Sequence, residues 1–264
     1  MTKIYAHRGF SSIYPENSIE AIKEAFKYDY IYGIEIDIRM TKDKKFVVVH
    51  DSYINNISNG EGRICDLTLD DLRKFNFKSN KLDIKKVFFH SFFHRDGKLI
   101  RKRLKNIKNK SSKIVTLEHV LNLVKDKHLL IEIKYKSDEC FDIDNFYKLL
   151  KKYDTKNIMI QSFSRKIIND LNKKDPTLNL GILIGNRNID NKLKMNLNFI
   201  SIEYSKLTKE IIEKKLKKKK IINVWTVDNY YQLKKLKKVS GENFDKIDII
   251  TNNPDIIKKY IISE

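Results

Sequence analysis

Glu35 and Asp37 stand two residues apart in the alternating segment GIEIDIRM, residues 33–40. In a strand, positions i and i+2 share a face, so both carboxylates point one way while Ile34, Ile36 and Ile38 point the other. Two carboxylates on the inner side of an apolar strand are costly unless a positive charge neutralises them. A hard divalent cation does this, and oxygen ligands suit Mg²⁺ or Ca²⁺. The polar stretch TKDKK that follows reads as a turn. Phe46 to Val49 then reads as a returning apolar arm that ends at His50-Asp51. This hairpin carries an acid–base group to the edge that holds the carboxylates. Taken alone, the stretch is equally readable as a salt-bridged edge strand with a surface histidine.

A second histidine closes the short strand predicted for residues 3–7, and Arg8-Gly9 follow it directly. His7 and Arg8 at a strand end set an acid–base group beside a guanidinium fork suited to phosphate oxygens. Gly9 lets the backbone approach closely there. A polar loop, SSIYPENS, leads into a helix of about 12 residues from near Ser18. Asn17 with Glu20 three residues later reads as its capping pair. Further along, LIEIK puts Glu132 and Lys134 on one face of a strand.

The elements that must position these groups alternate regularly. Strands are predicted at 3–7, 34–39, 129–134, 157–162, 179–184, 199–203, 221–226 and 247–251, with 46–49 as a hairpin arm at the mouth. Helices are predicted at 116–124, 140–153, after a cap at Ser164, near 190–196, at 208–219, at 228–238 capped by Asp228, and after Asn253 with Pro254 in the first turn. Strand–helix alternation at this spacing indicates a parallel sheet. Eight such units predict an α/β chain folded as a (β/α)8 TIM barrel. Its catalytic face is at the C-terminal strand ends, where His7, Glu35, Asp37, Glu132, Lys134, Gln161, Glu203 and Trp225 fall. The expected organisation is one domain over 1–264 with an insertion at about 52–113. Within the insertion, LTLDDLRKF predicts a short helix capped by Thr68 with Asp71. Residues 78–113 match no barrel element. Phe88, Phe89, Phe92 and Phe93 surround His90 and His94 there, and a basic run extends from Arg101 to Lys110. A lid or hairpin with aromatic packing is expected, and no carboxylate is spaced to complete a zinc site with the two histidines.

Composition bounds the rest. In 264 residues, 41% hydrophobic content supports a sizeable core, and 8 Gly with 3 Pro argue against disorder or a flexible linker. The net charge of +20 suggests an anionic partner. The lysines are spread along most predicted helices, so the charge is read as mainly compositional, with some help in attracting phosphates. Cys65 and Cys140 form no metal or redox motif, which fits a reduced cytosolic compartment. The N-terminus MTKIYAHRGF lacks a signal-peptide apolar core. No apolar run approaches the roughly 18 residues needed to span a bilayer. No GxGxxG or Walker loop supports a nucleotide-binding sheet.

The pieces AHRGFSSIYPENS, GIEIDIRMTKDKKFVVVHD, TLEHVL, LIEIK, IQSF, VWTVDN and IDIITNNPD occur in one order over nearly the whole chain. Together they resemble the glycerophosphodiester phosphodiesterase family. The resemblance implies a barrel enzyme that cleaves glycerophosphodiesters to sn-glycerol 3-phosphate and an alcohol, with one divalent cation, Mg²⁺ or Ca²⁺. It implies Glu35, Asp37 and Glu132 as metal ligands and His7 and His50 as the general acid–base pair. It implies that Arg8 and Lys134 hold the phosphate oxygens, that Glu16 and Asn17 shape the metal and glycerol side, and that Phe163 and Trp225 line the substrate pocket. Ser18 stands where relatives often carry Thr. NNISNG stands where many bacterial relatives have an Arg-Thr pair, a departure that bears on headgroup recognition. A second reading keeps the site and changes the substrate: a lysophospholipase D or sphingomyelinase D-like enzyme at a membrane surface, using the four phenylalanines. A third is a non-catalytic basic protein binding nucleic acid or phospholipid through Arg101–Lys110. The full metal and histidine set favours the enzyme, with a small glycerophosphodiester as partner, no nucleic acid, and no transmembrane segment.

Overall fold

A computed structural model describes residues 1–79, 95–124, 127–135 and 141–263. The chain opens with β1 (Ile4–His7), α1 (Ile19–Phe26), β2 (Gly33–Met40) and β3 (Phe46–Val48). Next come α2 (Leu69–Arg73), α3 (Gly97–Ile107), β4 (Val115–Thr116) and α4 (Leu117–Leu123). The alternation then runs β5 (His128–Ile133), α5 (Ile143–Leu150), β6 (Ile158–Ser162), α6 (Arg165–Lys174), β7 (Leu180–Ile184) and α7 (Ile189–Leu193). It ends with β8 (Phe199–Glu203), α8 (Lys209–Lys217), β9 (Ile221–Trp225), α9 (Tyr230–Ser240), β10 (Ile247–Thr251) and α10 (Pro254–Ile262).

β1, β10, β9, β8, β7, β6, β5 and β2 pair side by side in parallel, and pairing of β1 with β2 closes the ring. This is the (β/α)8 barrel. β3 returns antiparallel to β2, with Met40 opposite Phe46, and β4 adds to β3. The two-residue strand β4 has no counterpart in the sequence reading.

Register explains why the barrel interior has two levels. Tyr5 and His7, Leu130 and Glu132, and Met159 and Gln161 are i, i+2 pairs that share the inward face. Tyr5, Leu130, Met159, Phe199 and Ile250 form an apolar plug at one level. Two residues on, the inward positions are polar, and Cα pairing sets His7 against Glu35, Asp37 against Glu132 and Glu132 against Gln161. Ile34, Ile36, Ile38 and Ile131 face outward into the main core beneath the helices. At Gly181 a Cβ would lie 2.2 Å from the Phe199 ring, so a glycine there lets that ring fill the plug.

The Thr68–Asp71 capping box on α2 and the Ser164 cap on α6 are present as expected. Two other caps differ. Ser18, not Asn17 with Glu20, caps α1, which is 8 residues long, by accepting from the Ala21 N–H. Asn229, not Asp228, caps α9 by accepting from the Gln232 N–H. Asn17 and Asp228 are turned instead toward the barrel mouth.

Residues 52–77 build a small core of their own with β3, around Val47, Val49, Ile54, Ile64 and Leu72. The basic run lies on α3, which docks back on the barrel through Ile100. Arg103 forms a two-pronged pair with Asp255 at the start of α10. Lys110 Nζ donates to the Ile13 carbonyl at 3.0 Å and sits 3.9 Å over the Tyr14 ring. These two cations hold the loop after β1 in place. The cluster Phe88–Phe93 with His90 and His94, and Cys140, lie outside the described residues. Among the described residues, no helix is long and apolar enough to cross a membrane.

At the start of β10, Asp248 is buried and its Oδ1 accepts from the Lys3 N–H at 3.2 Å. Burial nevertheless pushes its carboxyl up to about 6. An unfolded aspartate titrates near about 3.9, so the folded chain binds this proton more tightly and stability falls as pH rises from about 4 to about 6. The chain is therefore expected to lose stability relative to Asp248→Asn across that window, by at most about 3 kcal/mol, and to lose nothing further above it. Paired urea unfolding curves at several pH values measure the difference. A constant offset would show that Asp248 stays ionised.

Candidate active site

The polar level of the barrel gathers Glu35, Asp37 and Glu132. All three are buried, and one oxygen from each lies within 4.8 Å of the others. The Lys134 ammonium stands 3.1 Å from Asp37 Oδ1 and 2.6 Å from Glu132 Oε1. It pairs with both carboxylates, and Glu35 Oε1 is left without a donor. Gln161 Oε1, on the neighbouring strand, lacks one too. Three converging hard oxygens in a buried site, one of them without a donor, suit a divalent cation, and the residues fit that group.

The charges divide unevenly. Burial opposes ionisation of Asp37, but Lys134 and then Arg8, with His50 and His7, outweigh it and hold the carboxyl well below the usual range. At Glu35, burial dominates and Asp37 and Glu132 reinforce it, pushing the carboxyl well up. Glu132 is also raised, by burial against Lys134.

The loop after β1 supplies the second wall. Arg8 and Gly9 both take left-handed backbone conformations, with φ of 57° and 76°. This turn aims the Arg8 N–H at Glu35 Oε2, 3.1 Å away. Arg8 Nη1 donates to Glu16 Oε2 at 2.9 Å, and Nε lies 3.0 Å from Asp37 Oδ2. Asn17, with φ of 59°, clasps Asp37 from both sides: Nδ2 donates to Oδ2 at 2.9 Å and Oδ1 accepts the Asp37 N–H at 3.2 Å. At Gly9 a Cβ would come within 2.6 Å of the Ala21 backbone carbon. Gly9→Ala is therefore expected to cost more than about 1 kcal/mol, read as a lower thermal midpoint. An unchanged midpoint would show that the loop can relax away from α1.

The two histidines flank the carboxylates. His7 Nδ1 is 2.7 Å from Asn252 Oδ1. Asn252 is oriented by Asp228, whose oxygens accept its Nδ2–H at 2.8 Å and its backbone N–H at 2.7 Å. The Asn252 oxygen must then face His7 and accept, so Nδ1 carries the proton and Nε2 keeps its lone pair. That Nε2 lies 3.8 Å from Glu35 Oε2. Burial, then the Arg8 charge, pushes the His7 imidazole down to about 3. His50 Nδ1 lies 2.7 Å from Asp51 Oδ1, so a carboxylate backs the second ring. Opposite this pair, Phe163 and Trp225 pack edge to face with centroids 5.7 Å apart, and Lys134 Nζ is 6.0 Å from the Phe163 centroid.

The model of the glycerophosphoryl diester phosphodiesterase family matches residues 7–256. The chain belongs to this family. The glycerophosphodiester phosphodiesterase of Caldanaerobacter subterraneus is 28% identical, over 97% of this chain and 96% of that one. A glycerophosphodiester phosphodiesterase of Bacillus altitudinis is 26% identical, over 89% and 90%. Among solved structures, the Oleispira antarctica phosphodiesterase in complex with sn-glycerol-3-phosphate superposes with a TM-score of 0.75 at 17% identity, covering 99% of this chain and 97% of that one. The Thermotoga maritima glycerophosphodiester phosphodiesterase gives 0.69 at 24%, covering 98% of each. At such identities the structural likeness shows the shared fold.

In this family member the structure brings Glu35, Asp37, Glu132, Arg8, Glu16, Asn17, Lys134, His7 and His50 to one mouth of the barrel, with Phe163 and Trp225 along its other side. Asn252, Asp228 and Asp51 complete the shell around the histidines; the sequence reading gave none of them a place in the site and took Asp228 for a helix cap. The signal was local: each sits beside a residue already singled out, in IDIITNNPD, VWTVDN and His50-Asp51.

Proposed function

We propose that the chain hydrolyses glycerophosphodiesters to sn-glycerol 3-phosphate and an alcohol. The observation that carries this reading is the convergence of three buried carboxylates with two cationic side chains and two oriented imidazoles. Glu35, Asp37 and Glu132 would hold one Mg²⁺ or Ca²⁺, which when bound supplies charge neutralisation at a phosphoryl oxygen. Arg8 and Lys134 offset the remaining phosphate charge, most strongly as negative charge builds on the oxygens in the transition state. Glu16 holds the Arg8 fork, and Asn17 fixes Asp37. His7, with Nε2 unprotonated, takes the proton from the attacking oxygen, either water or a neighbouring hydroxyl of the substrate. His50, whose Nδ1 is held by Asp51, gives a proton to the departing alkoxide. Phe163 and Trp225 contact the alcohol arm. The names of the family's curated members and the sn-glycerol-3-phosphate bound to the Oleispira enzyme support this substrate class.

Release of glycerol 3-phosphate from a panel of glycerophosphodiesters is the direct test. Excess chelator is expected to lower the rate by a factor on the order of 10² or more, and Mg²⁺ or Ca²⁺ to restore it. Full activity in chelator would remove the cation from the reading, and no release from any diester would remove the reaction.

A further inference from the structure

A cavity of about 630 Å³ opens on the side of the barrel mouth bounded by Phe163, Trp225, Arg165, Arg187, Lys192 and Glu203. It adjoins the carboxylate centre through Phe163, whose ring lies 6.0 Å from Lys134 Nζ and 4.9 Å from Lys192 Nζ. Its size suits a small polar group. Three side chains bring positive charge and one brings negative charge, so the cavity is cationic overall. Glu203 is engaged by the Ser205 hydroxyl at 2.6 Å. Lys192 is buried and donates to the Leu183 carbonyl at 2.8 Å. Arg165 and Arg187 differ from it: both are exposed at the rim, and among the described residues neither has a hydrogen-bond or ion-pair partner. Elsewhere Arg8, Arg73 and Arg103 are each paired with carboxylates. Two unpaired guanidinium forks at a cavity rim are donors suited by type to a planar or tetrahedral oxyanion.

An aromatic pair beside a glutamate could instead serve a quaternary ammonium group. Here the Phe163 ring already carries Lys192, and an incoming cation would meet three like charges. Resting on the hydrolase reading above, we propose that this cavity takes the alcohol arm of the diester and selects arms that carry an anionic group, a carboxylate or a second phosphate, with Arg165 and Arg187 as the specificity-determining residues.

The test compares kcat/KM on glycerophosphoglycolate and glycerophosphoinositol 4-phosphate with that on glycerophosphocholine, for the full chain and for Arg165→Ala/Arg187→Ala. The expected result is a preference for the anionic arms of about tenfold or more, expressed mainly in KM, which the double variant loses. Added salt should shrink the preference. Lysine at both positions should restore part of it, because charge returns without the fork. Equal or better turnover of the choline diester, or a preference that survives the double variant, would overturn the proposal while leaving the hydrolase reading standing. No turnover of any diester would overturn both.

Discussion

His50→Ala and His7→Ala are each expected to lower kcat on glycerophosphodiesters by roughly 10²–10⁴, the usual worth of a positioned acid or base. Neither change should unfold the chain. His50 is part-exposed and spends its ring on the adjacent Asp51. Removing His7 leaves Asn252 Oδ1 with the Ser11 hydroxyl still donating at 2.9 Å, so no buried acceptor is orphaned. The two variants should part company on an aryl diester. A nitrophenolate leaves without protonation, so a variant lacking only the acid regains rate on that substrate, and one lacking the base does not. The hydrogen bonds predict rescue for His50→Ala and none for His7→Ala. The reverse pattern would exchange the roles. Full rates in both variants on natural substrates would show that neither ring moves a proton.

The barrel was almost wholly legible in the sequence because its inner and outer strand faces obey one parity, and the β-branched residues that enforce it are abundant. The carboxylates were legible for the same reason, since Glu35 and Asp37 share the parity opposite to the apolar row of Ile34, Ile36 and Ile38. Asn252, Asp228 and the two misread caps were hidden by a local ambiguity. Asn17-Ser18 and Asp228-Asn229 each offer two capping residues in tandem. Capping chemistry is indifferent to which is used, because either side chain accepts an N–H of the first helical turn. The fold assigns the second of each pair to the cap and turns the first into the mouth, where Asn17 grips Asp37 and Asp228 orients Asn252. That choice depends on the direction in which the strand delivers the chain, which sequence spacing does not carry. The docking of α3 was hidden in another way. In a lysine-rich chain, Arg103 and Lys110 look like any solvated cations until Asp255 and the Ile13 carbonyl are brought beside them.

Asp37→Asn and Glu35→Gln should both abolish metal-dependent turnover, yet differ sharply in stability when metal is withheld. Asp37 is the ionised hub of the mouth. It balances Arg8 and Lys134 at 3.0 and 3.1 Å and is clasped by Asn17. An asparagine there presents one acceptor and one N–H₂ to a ring of donors and takes the shared carboxylate from two buried cations, leaving Lys134 only Glu132 and Arg8 only Glu16. The loss of one partner from a buried pair costs about 3–5 kcal/mol. Glu35 is the opposite case, because burial and its acidic neighbours push its carboxyl well up, which favours the neutral form in the metal-free fold. Glutamine reproduces that neutral state, keeps an acceptor for the Arg8 N–H, and should change stability by less than about 1 kcal/mol. Urea unfolding in chelator separates the two, and added Mg²⁺ or Ca²⁺ should raise the midpoint of the unaltered chain only, since a ligand stabilises only the fold that binds it. Equal destabilisation by both substitutions would mean that Glu35 is ionised without metal, and the division of charge across the three carboxylates would then have to be redrawn.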